Sequence, residues 1–231
     1  MQARGWYDPQ TEGPFDFARA YAHPQAAASP NNLGRQWSGL ACIARDKPAP
    51  GPDLPFSVVP THKLSVLDVM QILRHDKENE SGPAPADSAF VCALCSGATQ
   101  TSFVAQLRRS LPRELGIVYW VCLASPRTSF YLPFHFGSAD FPAGFRLGVQ
   151  RPTAAAYRRK VEAPFTADPH EAFWTFSNFR DKVDRHGPVA VAAAQAQAQR
   201  LERETLALLE PLEAAARRLY VLRRMRELGY I

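Results

Sequence analysis

The stretch SGATQTSFVAQLRR, residues 96–109, belongs to the part of the sequence that decides the fold. It changes from small, hydroxyl-bearing residues to an apolar run and ends on two arginines. Four such apolar runs follow one another, and they are AFVCALCSG (89–97), TSFVAQLRR (101–109), GIVYWVCLAS (116–125) and TSFYLPFHFG (128–137). Their enrichment in Val, Phe, Tyr and Trp predicts strands. The short connectors favour antiparallel neighbours over helical crossovers.

Helices are expected to cover this sheet. Two of the runs are apolar on both faces, so the strands need cover on both sides, and the pattern predicts an α/β fold of the α+β type. KLSVLDVMQILRHD (63–76) has a helical apolar period, and Ser65 with Asp68 three residues on resembles a capping box. EAFWTFSNFRDKVDRH (171–186) predicts a second, aromatic-rich helix.

One long helical pattern runs from Val189 to Leu228. Its apolar residues step by four and three in a stripe typical of coiled coils: Leu208, Leu212, Ala215, Leu219 and Leu222. Pro211 predicts a kink or a break. We expect the helix to cover the sheet, with partner binding as the alternative. The predicted organisation is a partial sandwich over 1–188 and a long C-terminal helix over 189–231, packed on the same domain.

Composition limits the classes of partner. Hydrophobic residues make up 46% of the 231 residues and charged residues 21%, which excludes general disorder. The net charge of +5 is only mildly basic, and the arginines gather chiefly near the end of the chain, where they are expected to form a solvated helix face. We therefore expect no nucleic-acid partner. No apolar run reaches the roughly 18 residues of a membrane span, and the first residues lack the apolar core of a secretion signal. We expect no membrane association; the compartment stays open, with the cytoplasm favoured.

The residues that commonly hold metals are dispersed. The four cysteines are Cys42, Cys92, Cys95 and Cys122. Cys92 and Cys95 form a lone C-x-x-C along a predicted strand, whereas a zinc site needs a second pair or spaced histidines and a redox pair opens a helix. The histidines stand at neither metal nor triad spacing. We therefore predict no metal and no cofactor, and structural roles for the cysteines.

The unusual feature of the strand block is its polar turns. SGATQTS (96–102) leads into one strand, and ASPRTS (124–129) joins two others. A buried hydroxyl costs about 1–3 kcal/mol unless it is hydrogen-bonded. Two interpretations stay open at this point: ordinary turn chemistry, or the mouth of a cleft.

Six segments in sequence order resemble the dipeptidase family that also contains the secernins. The segments are FDFARAYA (15–22), GRQW (34–37), PTHKLSVLDVMQILR (60–74), TQTSFVAQL (99–107), VYWVCLASPRTSFYLPFHFG (118–137) and AFWTFSNF (172–179). The resemblance spans residues 5–185, and the long terminal helix also fits it.

The resemblance implies both a fold and a mechanism. The fold is a four-layer αββα sandwich with two antiparallel sheets between helical layers. The mechanism is that of a cysteine peptidase of the N-terminal-nucleophile class, in which processing exposes the nucleophilic cysteine as the first residue. Its own α-amine serves as the base, because an α-amine titrates at about pH 7.7–8.0. The implied substrates are dipeptides.

This chain departs from the family's pattern at the nucleophile. Members are longer, and the nucleophilic cysteine opens their first strand, whereas none of the four cysteines here stands in that place. We therefore expect a C-terminal portion of a dipeptidase whose catalytic residue lies outside this chain. The alternative is an inactive interaction or assembly module derived from the family. The expected partners are a dipeptide and either the missing N-terminal segment or further copies of the chain.

The resemblance favours the cleft interpretation of the polar turns. The substrate-cleft candidates are Thr99, Gln100, Ser102, Arg108, Thr128 and Ser129. Each has sheet or turn packing as its alternative, and Arg108 either faces the cleft or only ends its strand. Arg127 receives no predicted role, because some members carry a cysteine in its place. A partial sandwich also exposes apolar surface, which predicts association of the isolated chain.

Overall fold

The computed structural model describes residues 8, 10, 15, 21, 23–76, 93–145 and 169–230. The chain divides into two compact units. The first consists of Met1–Lys63 and His75–Leu94, and the second of Leu64–Arg74 and Cys95–Ile231. A short strand is expected over residues 14–22, but most of that segment lies outside the described residues.

Two helices lie within residues 23–45 of the first unit. Helix α1 spans Pro24–Ala27 and helix α2 spans Pro30–Ile43. The sequence predicts a loop over 23–32, and this expectation is wrong. The prolines that suggested a loop stand at helix starts, where a missing N–H leaves no hydrogen bond unmade.

The proline-rich connector 46–55 is irregular, as expected. Two contacts hold it against the chain that precedes it. Ala44 forms an isolated antiparallel bridge with Pro60. The indole Nε1 of Trp37 donates a hydrogen bond to the carbonyl of Pro48 at 2.9 Å. Side-chain and backbone contacts thus fold the connector back onto the end of helix α2.

A three-stranded antiparallel sheet organises the second unit. Strands β1 (Thr101–Leu107), β2 (Ile117–Leu123) and β3 (Leu132–His135) lie in the order β1-β2-β3. They confirm the three later predicted strands, although β3 is shorter than its run of apolar residues. At 93–97, part of the first predicted strand, the chain bends and turns instead.

In the part of the second unit that the structure describes, five helical segments accompany the sheet. They are α3 (Val66–Arg74), α4 (Arg113–Gly116), a 3₁₀ turn (Ala143–Phe145), α5 (Ala172–Arg185) and α6 (Pro188–Glu227). The predicted capping box begins α3: the Ser65 amide donates to Asp68 Oδ2 at 2.7 Å, and the Asp68 amide donates to Ser65 Oγ at 3.2 Å. Helix α6 continues through Pro211 as one element. The mixed α/β fold with an antiparallel sheet and a long C-terminal helix is thereby confirmed.

The core lies between one face of the sheet and the helices. Val118, Trp120 and Cys122, alternate residues of β2, are buried there with Met70 of α3. Leu206 and Leu209 of α6 pack against the same cluster. Alternate residues of a strand share a face, so this single run of β2 defines which side of the sheet is covered.

The other face of the sheet is apolar and exposed. Phe103 and Leu107 of β1 are 64% and 72% exposed, and Tyr119 of β2 is 44% exposed. Phe103 and Tyr119 also contact each other, with ring centroids 6.2 Å apart. Large aromatic and aliphatic side chains side by side on one surface are typical of a face that another element covers.

Helix α6 covers the sheet by a face other than its coiled-coil-like stripe. Leu206 and Leu209 pack on the core, whereas Leu208, Leu212 and Leu219 are 65–67% exposed. The helix therefore packs on the sheet through Leu206 and Leu209, and the residues with the clearest heptad spacing point away from it.

Candidate functional site

The two predicted polar turns meet at one end of the sheet. Thr101 at the start of β1 pairs with Leu123 at the end of β2, so the segment before β1 and the turn after β2 are neighbours. We call residues 95–102 and 124–131 the hydroxyl end. Nine of the residues in these two segments carry a hydroxyl or thiol group.

The turn after β2 starts with a strained residue. Ala124 is fully buried and has a φ of 60°, in the left-handed region that costs an L-residue about 1–2 kcal/mol. The turn then closes tightly, because the carbonyl of Ser125 accepts hydrogen bonds from the amides of Thr128 and Ser129, each at 3.1 Å. Such strain persists only where the surroundings hold the backbone.

Side-chain contacts join the two segments of the hydroxyl end. Ser125 Oγ lies 3.0 Å from the thiol of Cys95, and Ser102 Oγ lies 2.8 Å from the phenol oxygen of Tyr131. Ser125, Cys95 and Tyr131 are all buried. The Ser125 and Ser102 hydroxyls are therefore fixed by short polar contacts to buried groups, and such contacts are stronger than they would be in water.

A buried ion pair supports the turn from the helix side. Arg74 of α3 and Glu202 of α6 are 3% and 1% exposed, and Arg74 Nη2 lies 2.5 Å from Glu202 Oε1. Arg74 Nε also donates to the carbonyl of Pro126 at 2.8 Å, and Nη2 donates to the carbonyl of Ser129 at 3.3 Å. Glu202 Oε1 accepts the amide of Tyr131 at 2.9 Å. The pair thus contacts three backbone groups of one turn.

Two buried groups, the Cys122 thiol next to the hydroxyl end and the Tyr131 phenol within it, stay protonated near neutral pH. Burial raises the pKa of the Cys122 thiol to about 12, and the nearby Ser129 hydroxyl opposes this only in part. Ser129 Oγ has no partner with full hydrogen-bond geometry among the described residues, although it is close enough to influence the thiol. Burial likewise raises the pKa of Tyr131, despite its hydrogen bond with Ser102. Neither group is ready to act as an anion.

The structure brings five of the six predicted site residues to the hydroxyl end. Ser102 is half-buried, and Thr128 and Ser129 are each 2% exposed. Thr99 closes a turn by accepting the Ser96 amide on its Oγ1 at 3.1 Å. Gln100 is exposed. Thr128 Oγ1 is, like Ser129 Oγ, buried without a hydrogen-bond partner among the described residues, and packing alone does not explain such a hydroxyl.

Arg108, the sixth predicted residue, lies at the opposite end of β1. Its guanidinium binds Glu213 of α6 through two contacts of 2.5 and 2.6 Å, and it donates to the carbonyl of Leu115 at 2.6 Å. His135 Nε2 lies 2.8 Å from Glu213 Oε1. We call these four residues the arginine end. Of the two roles predicted for Arg108, the geometry favours the one in which it ends its strand.

The carboxylate of the arginine end is held in its charged form. Partial burial acts to raise the pKa of Glu213, but hydrogen bonds from Arg108 and His135 outweigh it and leave that pKa below its ordinary value. A cavity of about 320 Å³ adjoins this carboxylate, with His135 and Leu115 in its lining. The ion pair of the arginine end is thus partly exposed to solvent, whereas the turn of residues 125–131 at the hydroxyl end is largely buried.

A second cavity, of about 470 Å³, lies on the exposed face of the sheet. Tyr119, Phe134, Phe136 and Phe141 line it. Neither of the two cavities is lined by residues of the hydroxyl end.

The described residues form neither a metal-binding cluster nor a helix that could cross a membrane. Across these residues, no three His, Cys, Asp or Glu side chains group closely enough to hold a metal ion. Along the same part of the chain, every helix is either too short or too polar to cross a membrane.

The Arg74–Glu202 pair is the feature of the hydroxyl end that the sequence did not predict. Its partners are 128 residues apart. A weak signal exists, because Arg74 stands four residues after the buried Met70 and Glu202 four residues after the buried Ala198, on the inward faces of their helices. A charge on an inward helical face indicates a partner, but it does not identify one.

Comparisons with known proteins agree on one family. Residues 1–184 match the family described as Peptidase family C69. A probable dipeptidase from Salmonella dublin is 29% identical over 158 residues, which cover 61% of this chain and 34% of that protein. A probable dipeptidase B from Streptococcus pyogenes serotype M1 is 23% identical over 194 residues, which cover 77% of this chain and 35% of that protein. The matches thus span about a third of the length of these curated relatives.

Proposed function

Because this chain belongs to peptidase family C69, we propose that it is part of a dipeptidase, a cysteine-type exopeptidase whose nucleophile is an N-terminal cysteine. The observation that carries the proposal is the family match over residues 1–184. Two relatives whose names say dipeptidase support the substrate class. The matches span only about a third of each relative, which supports the further proposal that the nucleophile lies on a segment outside this chain.

The chemistry of the described thiols supports an external nucleophile. Cys95 and Cys122 are buried, and the raised pKa of Cys122 keeps its thiol protonated. Cys42 is exposed, but it lies within helix α2. An N-terminal nucleophile needs a free α-amine, and releasing one at any of these three positions means cleaving a packed segment. Cys92 lies outside the described residues.

We assign the substrate cleft to the hydroxyl end, with Thr99, Gln100, Ser102, Thr128 and Ser129 as its candidates. Thr128 is the strongest of these: the buried Thr128 Oγ1 and Ser129 Oγ both lack a hydrogen-bond partner among the described residues, but Ser129 is also close enough to the Cys122 thiol to influence it. A hydroxyl both donates and accepts, so it suits the amide, amine and carboxylate groups of a dipeptide. The turn that carries Thr128 is held rigidly, as substrate positioning requires.

We further propose that the segment carrying the nucleophile also covers the exposed face of the sheet. Phe103, Leu107 and Tyr119 form an apolar surface there that water does not favour. A second sheet packed face to face would bury it. Without that segment, we expect the isolated chain to associate, and light scattering should report species larger than the monomer. A monomer that melts cooperatively would argue against this cover.

Activity assays test the proposed function directly. We expect the isolated chain to hydrolyse no dipeptide, and the chain joined to its upstream segment to hydrolyse dipeptides with sensitivity to thiol reagents. A variant of the joined protein without Cys42, Cys92, Cys95 and Cys122 is the matched control, and it should remain active. Activity of the isolated chain that survives loss of all four cysteines would overturn the mechanism.

An inactive assembly module is the second candidate function. The exposed stripe of Leu208, Leu212 and Leu219 on α6 favours it, because such spacing is typical of helix pairing. The genomic sequence upstream of Met1 discriminates between the two. An in-frame stretch that opens on a cysteine supports the dipeptidase, and its lack supports the module.

A further inference from the structure

The Arg74–Glu202 pair is almost completely buried, and burial of an ion pair is not in itself a source of stability. Taking two charges out of water carries a desolvation penalty that their attraction often only balances, and apolar replacements of similar size are frequently as stable. Here the two side chains are 3% and 1% exposed. A buried pair of this kind is therefore best explained by what its hydrogen bonds hold in place.

The pair holds the backbone on both sides of Thr128. On one side, Arg74 Nε binds the carbonyl of Pro126 at 2.8 Å. On the other, Arg74 Nη2 binds the carbonyl of Ser129 at 3.3 Å, and Glu202 Oε1 binds the amide of Tyr131 at 2.9 Å. The guanidinium also lies 5.6 Å from the centre of the Tyr131 ring. Two helices thus fix the turn that carries the unpartnered hydroxyl.

We propose that Arg74 and Glu202 are positioning residues of the peptidase site: they hold the turn of residues 125–131 so that the Thr128 hydroxyl is aligned with the bound dipeptide. This inference rests on the proposed function. Neither side chain touches the substrate. Both act through the backbone of the turn, which is why their effect should appear in the rate of the chemical step more than in substrate affinity.

The shape of the guanidinium is essential to this arrangement. Its planar fork aims Nε and Nη2 at two carbonyls while Nη1 and Nη2 bind Glu202. Lysine has the same charge but one nitrogen on a flexible stem, so it cannot hold all of these acceptors. Arg74→Lys should therefore keep the charge of the pair and still release the turn.

The experiment compares two double variants, each of which removes a whole ion pair. Arg74→Met with Glu202→Leu removes the pair behind the hydroxyl end. Arg108→Met with Glu213→Leu is the matched control at the arginine end of the same sheet. Removing both partners avoids leaving a charge buried alone, so both proteins are expected to fold. Cooperative melting checks folding before any other measurement.

Amide hydrogen exchange and steady-state kinetics are the two readouts. In the Arg74–Glu202 double variant, the amides of Thr128, Ser129 and Tyr131 should exchange at least about tenfold faster. In the chain joined to its upstream segment, kcat should fall by about 10- to 100-fold while KM changes by less than about threefold. The Arg108–Glu213 double variant should change neither the exchange at these amides nor kcat by as much as threefold.

The outcomes separate this inference from the proposed function. Unchanged exchange at residues 128, 129 and 131 shows that the pair does not hold the turn and overturns the inference. Faster exchange with an unchanged kcat in an active joined enzyme overturns the positioning role and leaves the dipeptidase standing. A folded wild-type joined protein that hydrolyses no dipeptide overturns the proposed function, and the positioning role with it.

Discussion

The two ends of the sheet use the same chemistry in different surroundings. At each end an arginine binds a glutamate of helix α6, Glu202 at the hydroxyl end and Glu213 at the arginine end. The first pair is 3% and 1% exposed and contacts three backbone groups of one turn. The second is 25% and 18% exposed and contacts one carbonyl and a histidine.

The degree of burial determines whether each ion pair fixes a backbone turn or only adds modest stability. In a dry environment an unpaired charge is very unfavourable, so the buried pair makes its geometry obligatory for the folded state. Near solvent, water can replace either partner, so the exposed pair stabilises only modestly and can respond to pH. The buried pair is therefore suited to holding a turn, and the exposed pair to fastening a helix.

The largest expected effect comes from breaking one partner at each end. Glu202→Leu leaves Arg74 charged and buried, and it should lower the free energy of unfolding by about 3–5 kcal/mol. Glu213→Leu leaves Arg108 close to water, and it should cost about 1 kcal/mol. Urea denaturation of both variants measures the difference. Equal losses would show that burial does not distinguish the two pairs.

A smaller effect is expected when the exposed pair is titrated. Hydrogen bonds from Arg108 and His135 lower the pKa of folded Glu213 despite partial burial, so its contribution is fully present above the unfolded value of 4.5 and is lost as pH falls through the folded value. The stability deficit of Glu213→Gln, about 1 kcal/mol at pH 7, should therefore shrink toward acid pH. Thermal melts between pH 7 and pH 3 test this, and a deficit that stays constant would contradict it.

The strained backbone at Ala124 predicts a change in the free energy of unfolding that is no larger than the effect at Glu213. Glycine adopts a φ of 60° without penalty, which offsets the greater freedom of glycine in the unfolded chain. Ala124→Gly should therefore change the free energy of unfolding by less than about 1 kcal/mol. Ala198→Gly, at a buried position inside α6, is the control and should destabilise by about 1 kcal/mol or more. An equal loss at both positions would remove the evidence for strain.

The smallest expected stability change is that of Thr128→Val. Valine has the shape of threonine without the hydroxyl, and the hydroxyl makes no hydrogen bond to the described residues, so stability should change by less than about 0.5 kcal/mol. In the joined enzyme, kcat/KM should nevertheless fall at least about tenfold, because a site that hydrogen-bonds its substrate loses that contact. Unchanged kinetics would remove Thr128 from the cleft.

Local sequence patterns predicted the elements that are periodic. Strands β1 and β2 and helices α3 and α6 follow from apolar spacing and from the Ser65 capping box. The start of α2 was missed because Pro30 looks like a breaker where it is a helix starter. At 93–97 strand-like residues bend, because the turn that Thr99 closes on Ser96 competes with strand pairing.

The candidate site was predictable only in part. Hydroxyl-rich turns beside strands pointed to Ser102 and Thr128, since polar groups in a strand block need a reason to be there. The sequence near Arg74 does not identify Glu202 as its partner, because a contact between residues 128 positions apart depends on how the helices pack. The direction of Arg108 was undecidable for the same reason, since its partner Glu213 lies 105 residues away.

Helix α6 fixes the spacing between the two glutamates that bind the arginines at the two ends of the sheet. Glu202 and Glu213 reach their arginines from one face because they are eleven positions apart, which makes about three turns. Inserting or deleting a single residue in that interval would swing one carboxylate by about 100° around the axis. Natural length variation should therefore spare this interval and accumulate in the stretch of α6 beyond it.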